Sequence, residues 1–374
     1  MKIRAAILEE SGRVMPYASS RPLTIGEVDL DGPGPGEVLI RIAAAGLCHS
    51  DLSVINGDRP RPLPMVLGHE ASGVVVETGS GVDDLAPGDH VVCVFVPSCG
   101  HCAPCAGGRP ALCEPAAEHN GKGDLVSGAR RLSRNGSPLN HHLGVSAFAD
   151  HATVSRHSLV KIDREVPLDI AALVGCAVLT GAGAVFNGGD VKPGGTVAVV
   201  GLGGVGLAAV LGAVAAGAER IVAVDRLRDK LDLARSLGAT DTFVADTDAV
   251  GLIREATRGG VDVALEFAGS TKALELAYAI TRRGGTTVTA GLPHPSAMLT
   301  LPAVSLTAEE RTLKGSYLGS GVPSRDITRF LGLYRRGRLP INRLLTHRLT
   351  LDTINEGFDR LHDGSAVRQI VEFG

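Results

Sequence analysis

The chain has 374 residues, 44% of them hydrophobic, and its 37 Lys and Arg nearly balance its 40 Asp and Glu for a formal net charge of −3. That length exceeds what one ordinary hydrophobic core serves, so two domains are expected. The slight acidic excess excludes a polyanion-binding surface, and no nucleic-acid partner is implied.

The opening stretch Met1 to Glu9 reads as a short strand, because its apolar run is too brief for a signal-peptide core and meets Glu9 and Glu10 at once. A cytoplasmic protein is expected. Through residue 170, short β-branched runs such as 38–42, 72–77 and 90–94 are punctuated by Gly, Pro and Asp. This texture predicts an irregular, mainly antiparallel, barrel-like domain.

Within it, four of the seven cysteines fall in the run Cys99-x2-Cys102-x2-Cys105-x7-Cys113. Such spacing lets four thiolates converge tetrahedrally on one closed structural zinc. Three more elements form a second set: Cys48 in Gly46-Leu47-Cys48-His49-Ser50-Asp51, His69 in Gly68-His69-Glu70, and Cys176 in Val174-Gly175-Cys176. A lone buried Cys or His is usually core filler, but three upstream of a dinucleotide site point to a Cys/His/Cys zinc with one open position. Only Cys93 is then left, so no disulfide framework is expected and a reducing compartment suits the thiolates.

From about 178 to 320 strands and helices alternate. The predicted elements are a strand 196–200, a helix from Val205, a strand 220–224, a helix 227–237, strands 242–244 and 261–266, a helix 273–281 and a strand 286–289. This is the pattern of a doubly wound parallel sheet, an α/β class. Ala208 to Ala218 is apolar but glycine-interrupted and well short of the about 20 residues a membrane span needs, so it reads as a buried crossover helix and no membrane partner is expected. Gly201-x-Gly203-Gly204-Val205-Gly206 follows an apolar strand and opens a helix, whose first amides can receive a pyrophosphate. Asp225, nineteen positions beyond Gly206, stands where a carboxylate accepts ribose hydroxyls and repels a 2′-phosphate. NAD is favoured over NADP, with Arg226 and Arg228 as the counter-argument. The closing fifty residues contain a helix 325–335 and strands 347–351 and 369–373 that return to the first domain.

These elements in this order resemble the zinc-dependent medium-chain alcohol dehydrogenase family over essentially the whole chain, from Gly46–Asp51 and Gly68–Glu70 to Asn355-Glu356-Gly357-Phe358. The resemblance implies a GroES-like catalytic domain over 1–177, a Rossmann NAD-binding domain over 178–322 and a return to the catalytic domain over 323–374, with the active site in the cleft between the two. It implies that Cys48, His69 and Cys176 bind catalytic zinc with Asp51 and Glu70 behind them, Asp51 orienting the His69 ring. Ser50 matches the hydroxyl that takes the alcohol proton. His49 and Arg368 match positions that meet the pyrophosphate, Thr180 and Val205 those that contact the nicotinamide, and Lys230 a ribose contact beside Asp225 and Arg226. Phe95, Arg59, His142, Leu292 and Tyr317 are the implied substrate-pocket residues, with Arg59 and His142 standing where many relatives are apolar.

Three positions after Ser50, where better-known members carry a proton-relaying histidine, this chain has Ser53, which leaves the outer relay to water or the cofactor ribose. Residues 119–135 carry Lys122, Arg130, Arg131 and Arg134, and read either as a solvated loop or as a basic patch that steers an anionic substrate. The expected activity is reversible, zinc- and NAD-dependent oxidation of a primary or secondary alcohol, with two zincs per chain. A thiol-adduct formaldehyde dehydrogenase, an enzyme that keeps its nicotinamide through turnover, and a non-catalytic NAD-binding scaffold are the alternatives. A homodimer or homotetramer is implied, with Leu299 to Leu306 as a possible edge.

Overall fold

In the computed structural model, which describes residues 1–374, the chain forms two units: Met1–Cys176 with Val322–Arg335 and Leu345–Gly374, and Ala177–Gly321 with Arg336–Leu344. The first holds strands β1 (Lys2–Leu8), β2 (Leu23–Leu30), β3 (Glu37–Gly46), β4 (Met65–Val66), β5 (Glu70–Thr78), β6 (His90–Cys93), β7 (Leu132–Arg134), β8 (Ser137–His141), β9 (His151–Ser155) and β10 (Leu159–Ile162). The second contains β11 (Thr196–Val200), β12 (Arg220–Asp225), β13 (Asp241–Val244), β14 (Val261–Glu266), β15 (Thr281–Thr289) and β16 (Thr312–Gly315); β17 (Leu345–Leu349) and β18 (Arg368–Glu372) belong to the first.

In the first unit, β1, β2, β7, β8 and β4 close a small barrel beside a seven-stranded sheet ordered β10-β6-β5-β3-β18-β17, with β9 also pairing to β3. Closure removes the exposed strand edges that short β-rich segments otherwise leave. The long β3 is the hub, since it pairs with β5, β9 and β18. Its Val38, Ile40, Ile42 and Ala45 lie in a core shared with Val75, Val91, Phe148 and Phe358, where the last two rings meet edge to face at 6.0 Å. Three sequences that supply ligands are thereby tied to one scaffold: the residues just after β3, those just before β5, and the segment after β10.

In the second unit all six strands run parallel in the order β13-β12-β11-β14-β15-β16. Central β11 and β14 are buried almost throughout, and the continuous apolar runs of both reflect helical cover on two faces. The chain turns from one half of the sheet to the other between β11 and β14, the switch point at which ligands bind in open parallel sheets.

The predicted strands and helices of this unit fall within a few residues of the observed ones. Several helices were not read from the sequence, among them Ala249–Ala256, Ile354–Asp363, and Glu114–Lys122, whose Pro115 sits in the first turn, where its missing N–H costs nothing. Helix Glu114–Lys122 covers the start of the basic segment 119–135. Leu299 to Leu306 is not a strand either. It runs into a helix, Ala303–Ala308, and β16 forms that edge of the sheet.

Candidate functional site: a buried Cys/His/Cys centre

Cys48 directly precedes the helix His49–Ile55, His69 lies between β4 and β5, and Cys176 sits in a π-helical turn, Val174–Val178. Such turns recur where a side chain must be aimed at a site. The ligand atoms of all three lie within 4.8 Å of one another, and all three residues are buried. Gly68 makes the approach of His69 possible: its φ is +93°, and a Cβ there would come within 2.5 Å of the Phe148 amide nitrogen.

The His69 ring is held from behind. Its Nδ1 hydrogen-bonds Asp51 Oδ1 at 3.2 Å, the Gly68 N–H donates to the same oxygen at 3.0 Å, and Phe95 packs against the ring edge-on at 5.4 Å. With Nδ1 so engaged, Nε2 is buried and has no hydrogen-bond partner. A buried nitrogen left this way needs an explanation, and a metal ion supplies one.

The charges agree. The hydrogen bond from Cys176 holds the Cys48 thiol well below its ordinary range against its burial, and the same bond pushes Cys176 well above. Burial disfavours a charged His69, yet the negative charges of Asp51 and Cys48 overcome it and raise the imidazole. A proton between a carboxylate and a thiolate stands where a cation belongs. Burial likewise opposes ionised Asp51, but His69 and His142 keep it below the usual carboxylate range. Burial pushes Glu70 up to about 7 although the Arg368 guanidinium is paired with it.

The four-cysteine run also converges: the sulfurs of Cys99, Cys102, Cys105 and Cys113 lie within 4.8 Å of one another. Backbone N–H groups already point at two of them, from Cys102 to Cys99 Sγ and from Cys99 to Cys113 Sγ, each at 3.3 Å. All seven cysteines are unbridged. Burial and its neighbouring thiols push Cys105 up to about 12, while against its burial backbone N–H groups hold Cys99 down to about 6, an uneven set of charges that a bound cation would balance.

In the second unit, Gly201 closes the turn after β11 with φ +91°, and Gly203 caps the helix Gly204–Ala215 with nothing within 4 Å of where its Cβ would be. A Cβ on Gly206 would strike the Gly201 carbonyl oxygen. The bare helix N-terminus, with Gly204 and Val205 in its first turn, fits a pyrophosphate. Asp225 ends β12, accepting the Leu202 N–H at 2.7 Å and the Leu227 N–H at 3.0 Å, which anchors it beside the glycine turn. Arg226 is exposed and Lys230 half-buried. Thr180 is on the helix Leu179–Gly183, where a Cβ on Gly181 would strike the Val205 carbonyl oxygen, so Thr180 and Val205 lie on touching helices.

The remaining candidates are placed as follows. Arg368 is 3% exposed and paired with Glu70, so its assignment to the pyrophosphate is not carried by its position. His142 is buried with Nδ1 3.0 Å from Asp51 Oδ1, rather than standing open as a pocket wall. Leu292 and Tyr317 are largely exposed on the second unit, Arg59 is half-buried and His49 exposed. Ser50 Oγ lies 3.8 Å from Cys48 Sγ, while Ser53 donates its hydroxyl to the Ser50 carbonyl at 2.8 Å, which removes it from an outward relay. The basic segment is not a free patch: Lys122 pairs with Glu118, Arg131 with Glu37 and Arg134 with Glu9, while Arg130 bonds Asn140 and the Lys122 carbonyl. Three of the four charges are thus paired with carboxylates and Arg130 alone is not, which weakens the basis for steering. One residue escaped the sequence reading. Glu266 ends β14 fully buried and accepts from the Gly269 N–H and the Thr289 hydroxyl, tying together two loops at the switch point. Its signal was a carboxylate closing an otherwise apolar strand.

Residues 34–164 match the alcohol dehydrogenase GroES-like domain, and residues 204–335 the zinc-binding dehydrogenase family. The chain is 42% identical to a putative alcohol dehydrogenase D of Mycobacterium tuberculosis over 99% of its own length and 100% of the relative's. It is 40% identical to an NDMA-dependent alcohol dehydrogenase of Amycolatopsis methanolica, over 99% of both. Among solved structures, benzyl alcohol dehydrogenase from Acinetobacter calcoaceticus superposes with a TM-score of 0.93 at 32% identity, over 100% of both chains.

Proposed function

We propose that this chain, which belongs to the zinc-dependent medium-chain alcohol dehydrogenase family, oxidises a primary or secondary alcohol reversibly to the aldehyde or ketone with NAD. The observation that carries the reading is the buried Cys48/His69/Cys176 set, whose one orphaned nitrogen lies among two thiols. When bound, zinc supplies the Lewis acidity that eases loss of a hydroxyl proton, and NAD accepts the hydride.

The protein's own residues do the rest. Asp51 accepts from His69 Nδ1, which fixes the tautomer and leaves Nε2 for the metal. Phe95 shields that ring from water. Ser50, in the first turn of its helix and next to Cys48, receives the substrate proton. Since Ser53 is committed to the Ser50 carbonyl, the proton leaves through water or the cofactor ribose. The glycine turn with Gly201, Gly203 and Gly206 holds the pyrophosphate, and Asp225 the adenosine ribose, which favours NAD over NADP.

The Cys99/Cys102/Cys105/Cys113 lobe takes a second, structural zinc, for two per chain. Residues 1–177 and 323–374 serve catalysis, and 178–322 the coenzyme. The unbridged cysteines suit the cytoplasm, no helix is long and apolar enough to cross a membrane, and exposed Met298, Leu299, Val304 and Leu306 suit a homo-oligomer. The 40% identity to an enzyme named for dependence on NDMA favours a second form of the reading, in which NAD stays bound and a second substrate reoxidises it.

Metal analysis joined to an alcohol and aldehyde panel with NAD and NADP tests this. About two zincs per chain with NAD-linked turnover are expected. One zinc and no turnover would leave an NAD-binding scaffold. Cofactor released on denaturing the desalted protein identifies the retained-cofactor form, and formaldehyde assayed with and without a thiol separates the thiol-adduct activity.

A further inference from the structure

We infer that His142 is a positioning residue for the catalytic metal, a second imidazole on the Asp51 carboxylate that fixes how Asp51 meets His69. The inference rests on the reading of Cys48, His69 and Cys176 as a zinc site.

Asp51, His69 and His142 form a cluster whose ligand-type atoms lie within 4.8 Å of one another, all fully buried or nearly so. His142 Nδ1 is 3.0 Å from Asp51 Oδ1, a close polar contact without hydrogen-bond geometry, and makes no hydrogen bond to any group. A buried imidazole nitrogen left without a hydrogen bond is costly, and the Asp51 carboxylate 3.0 Å away is the group placed to relieve it. The two imidazoles meet edge to face, 5.5 Å apart at 87°.

The backbone holding His142 is itself restrained. The His142 N–H donates to Ser146 Oγ at 2.9 Å, and that hydroxyl donates to the Val66 carbonyl at 2.8 Å, three residues before His69. Leu143 and Ser146 are both non-glycine residues in the left-handed region, with φ of 51° and 55°. A loop holds two such residues only where its contacts outweigh their local preference. The loop and the turn carrying His69 are therefore joined twice, through Ser146 and through Asp51.

The consequence is directional. A carboxylate with donors only from Gly68 and His69 can rotate about its terminal torsion, which is broad. The His142 ring, in polar contact with the same oxygen, restricts that freedom and so bears on the tilt of the His69 ring, which decides where Nε2 points. Loss of the His142 N–H should let the ring drift from its line to the thiolates.

Zinc release to excess chelator, and the visible spectrum after Co(II) exchange, are measured on the full-length wild type, His142→Phe and His142→Asn. Phe keeps a ring without the donor; Asn keeps an N–H near the Nδ1 position. Partners behind a metal ligand are worth about 10- to 100-fold in metal affinity, and His142 acts one step further out, so His142→Phe should release the site's zinc about 10-fold faster, with displaced Co(II) bands. His142→Asn should stay within about 2-fold of wild type with the wild-type spectrum, and the four-cysteine zinc, released equally by all three proteins, serves as the internal reference. Equal release by wild type and His142→Phe overturns the inference. So does equal loss in both variants, which would make the ring's volume the cause. Wild type holding no zinc beyond the four-cysteine lobe overturns the reading of the site instead. If His142→Phe does not fold, His142→Leu takes its place under the same criteria.

Discussion

Replacing His141 by glutamine should flatten the acid limb of the protein's stability. His141 ends β8, fully buried, and its Nε2 accepts the Arg131 N–H at 3.0 Å, a bond only the neutral ring can make. Its Nδ1 has no partner. Burial pushes the imidazole from its ordinary 6.5 down to about 4. Since the folded value is the lower one, the contribution is complete above the unfolded value and is lost as pH falls toward 4. A separation of about 2.5 units corresponds to at most about 3.4 kcal/mol, of which about 2 kcal/mol is gone by pH 5 and about 3 by pH 4. The glutamine of His141→Gln would keep an acceptor for the Arg131 N–H and carry no titrating group. Urea unfolding of both proteins at pH 7 and pH 5 isolates the effect, because every other histidine contributes equally and cancels. The wild type should lose about 2 kcal/mol more than the variant between the two pH values. Equal losses, at equal denaturant slopes, would mean that His141 is protonated in the fold and that the reasoning from its burial is wrong.

The other expectations concern metal and coenzyme. Cys105→Ser should lower zinc content by one per chain while leaving the Co(II) spectrum of the His69 site unchanged, as mass spectrometry and absorption would show. Gly206→Ala, whose new methyl would strike the Gly201 carbonyl, should weaken NADH binding by about 10- to 100-fold in fluorescence titration, in line with about 1–3 kcal/mol for overpacking. Asp225→Ser gives up charge-assisted hydrogen bonds worth about 1.5–3 kcal/mol, so the ratio of kcat/KM for NAD over NADP should fall about 10- to 100-fold. An unchanged ratio would remove Asp225 from the ribose.

What the sequence could and could not disclose follows from how far apart the interacting groups lie. The parallel sheet was legible because each strand announces itself locally, as 196–200 and 261–266 do by unbroken apolar runs. The four-cysteine lobe was legible because its ligands lie within fifteen positions. Helix Glu114–Lys122 was missed because its glycine, proline and histidine imitate a loop, and its order comes from neighbours such as the Phe95 carbonyl, which Asn120 caps at 2.8 Å. The partners of charged site residues were hidden for a stronger reason. Arg368 and Glu70 are separated by 298 positions and meet only because β18 and β5 flank β3. His142 reaches Asp51 only because β4 and β8 pair in parallel with Val66 opposite His141, a register no local pattern encodes. Motif matching therefore named the three clustered residues and Asp51 behind His69, and carried no sign that Arg368 and His142 pack against the neighbouring carboxylates. The ligands sit in short, recognisable turns, whereas the groups that aim them are selected by tertiary pairing. What aims this site is accordingly to be sought behind the ligands, where His142 stands 3.0 Å from Asp51 and Ser53 bonds the Ser50 carbonyl.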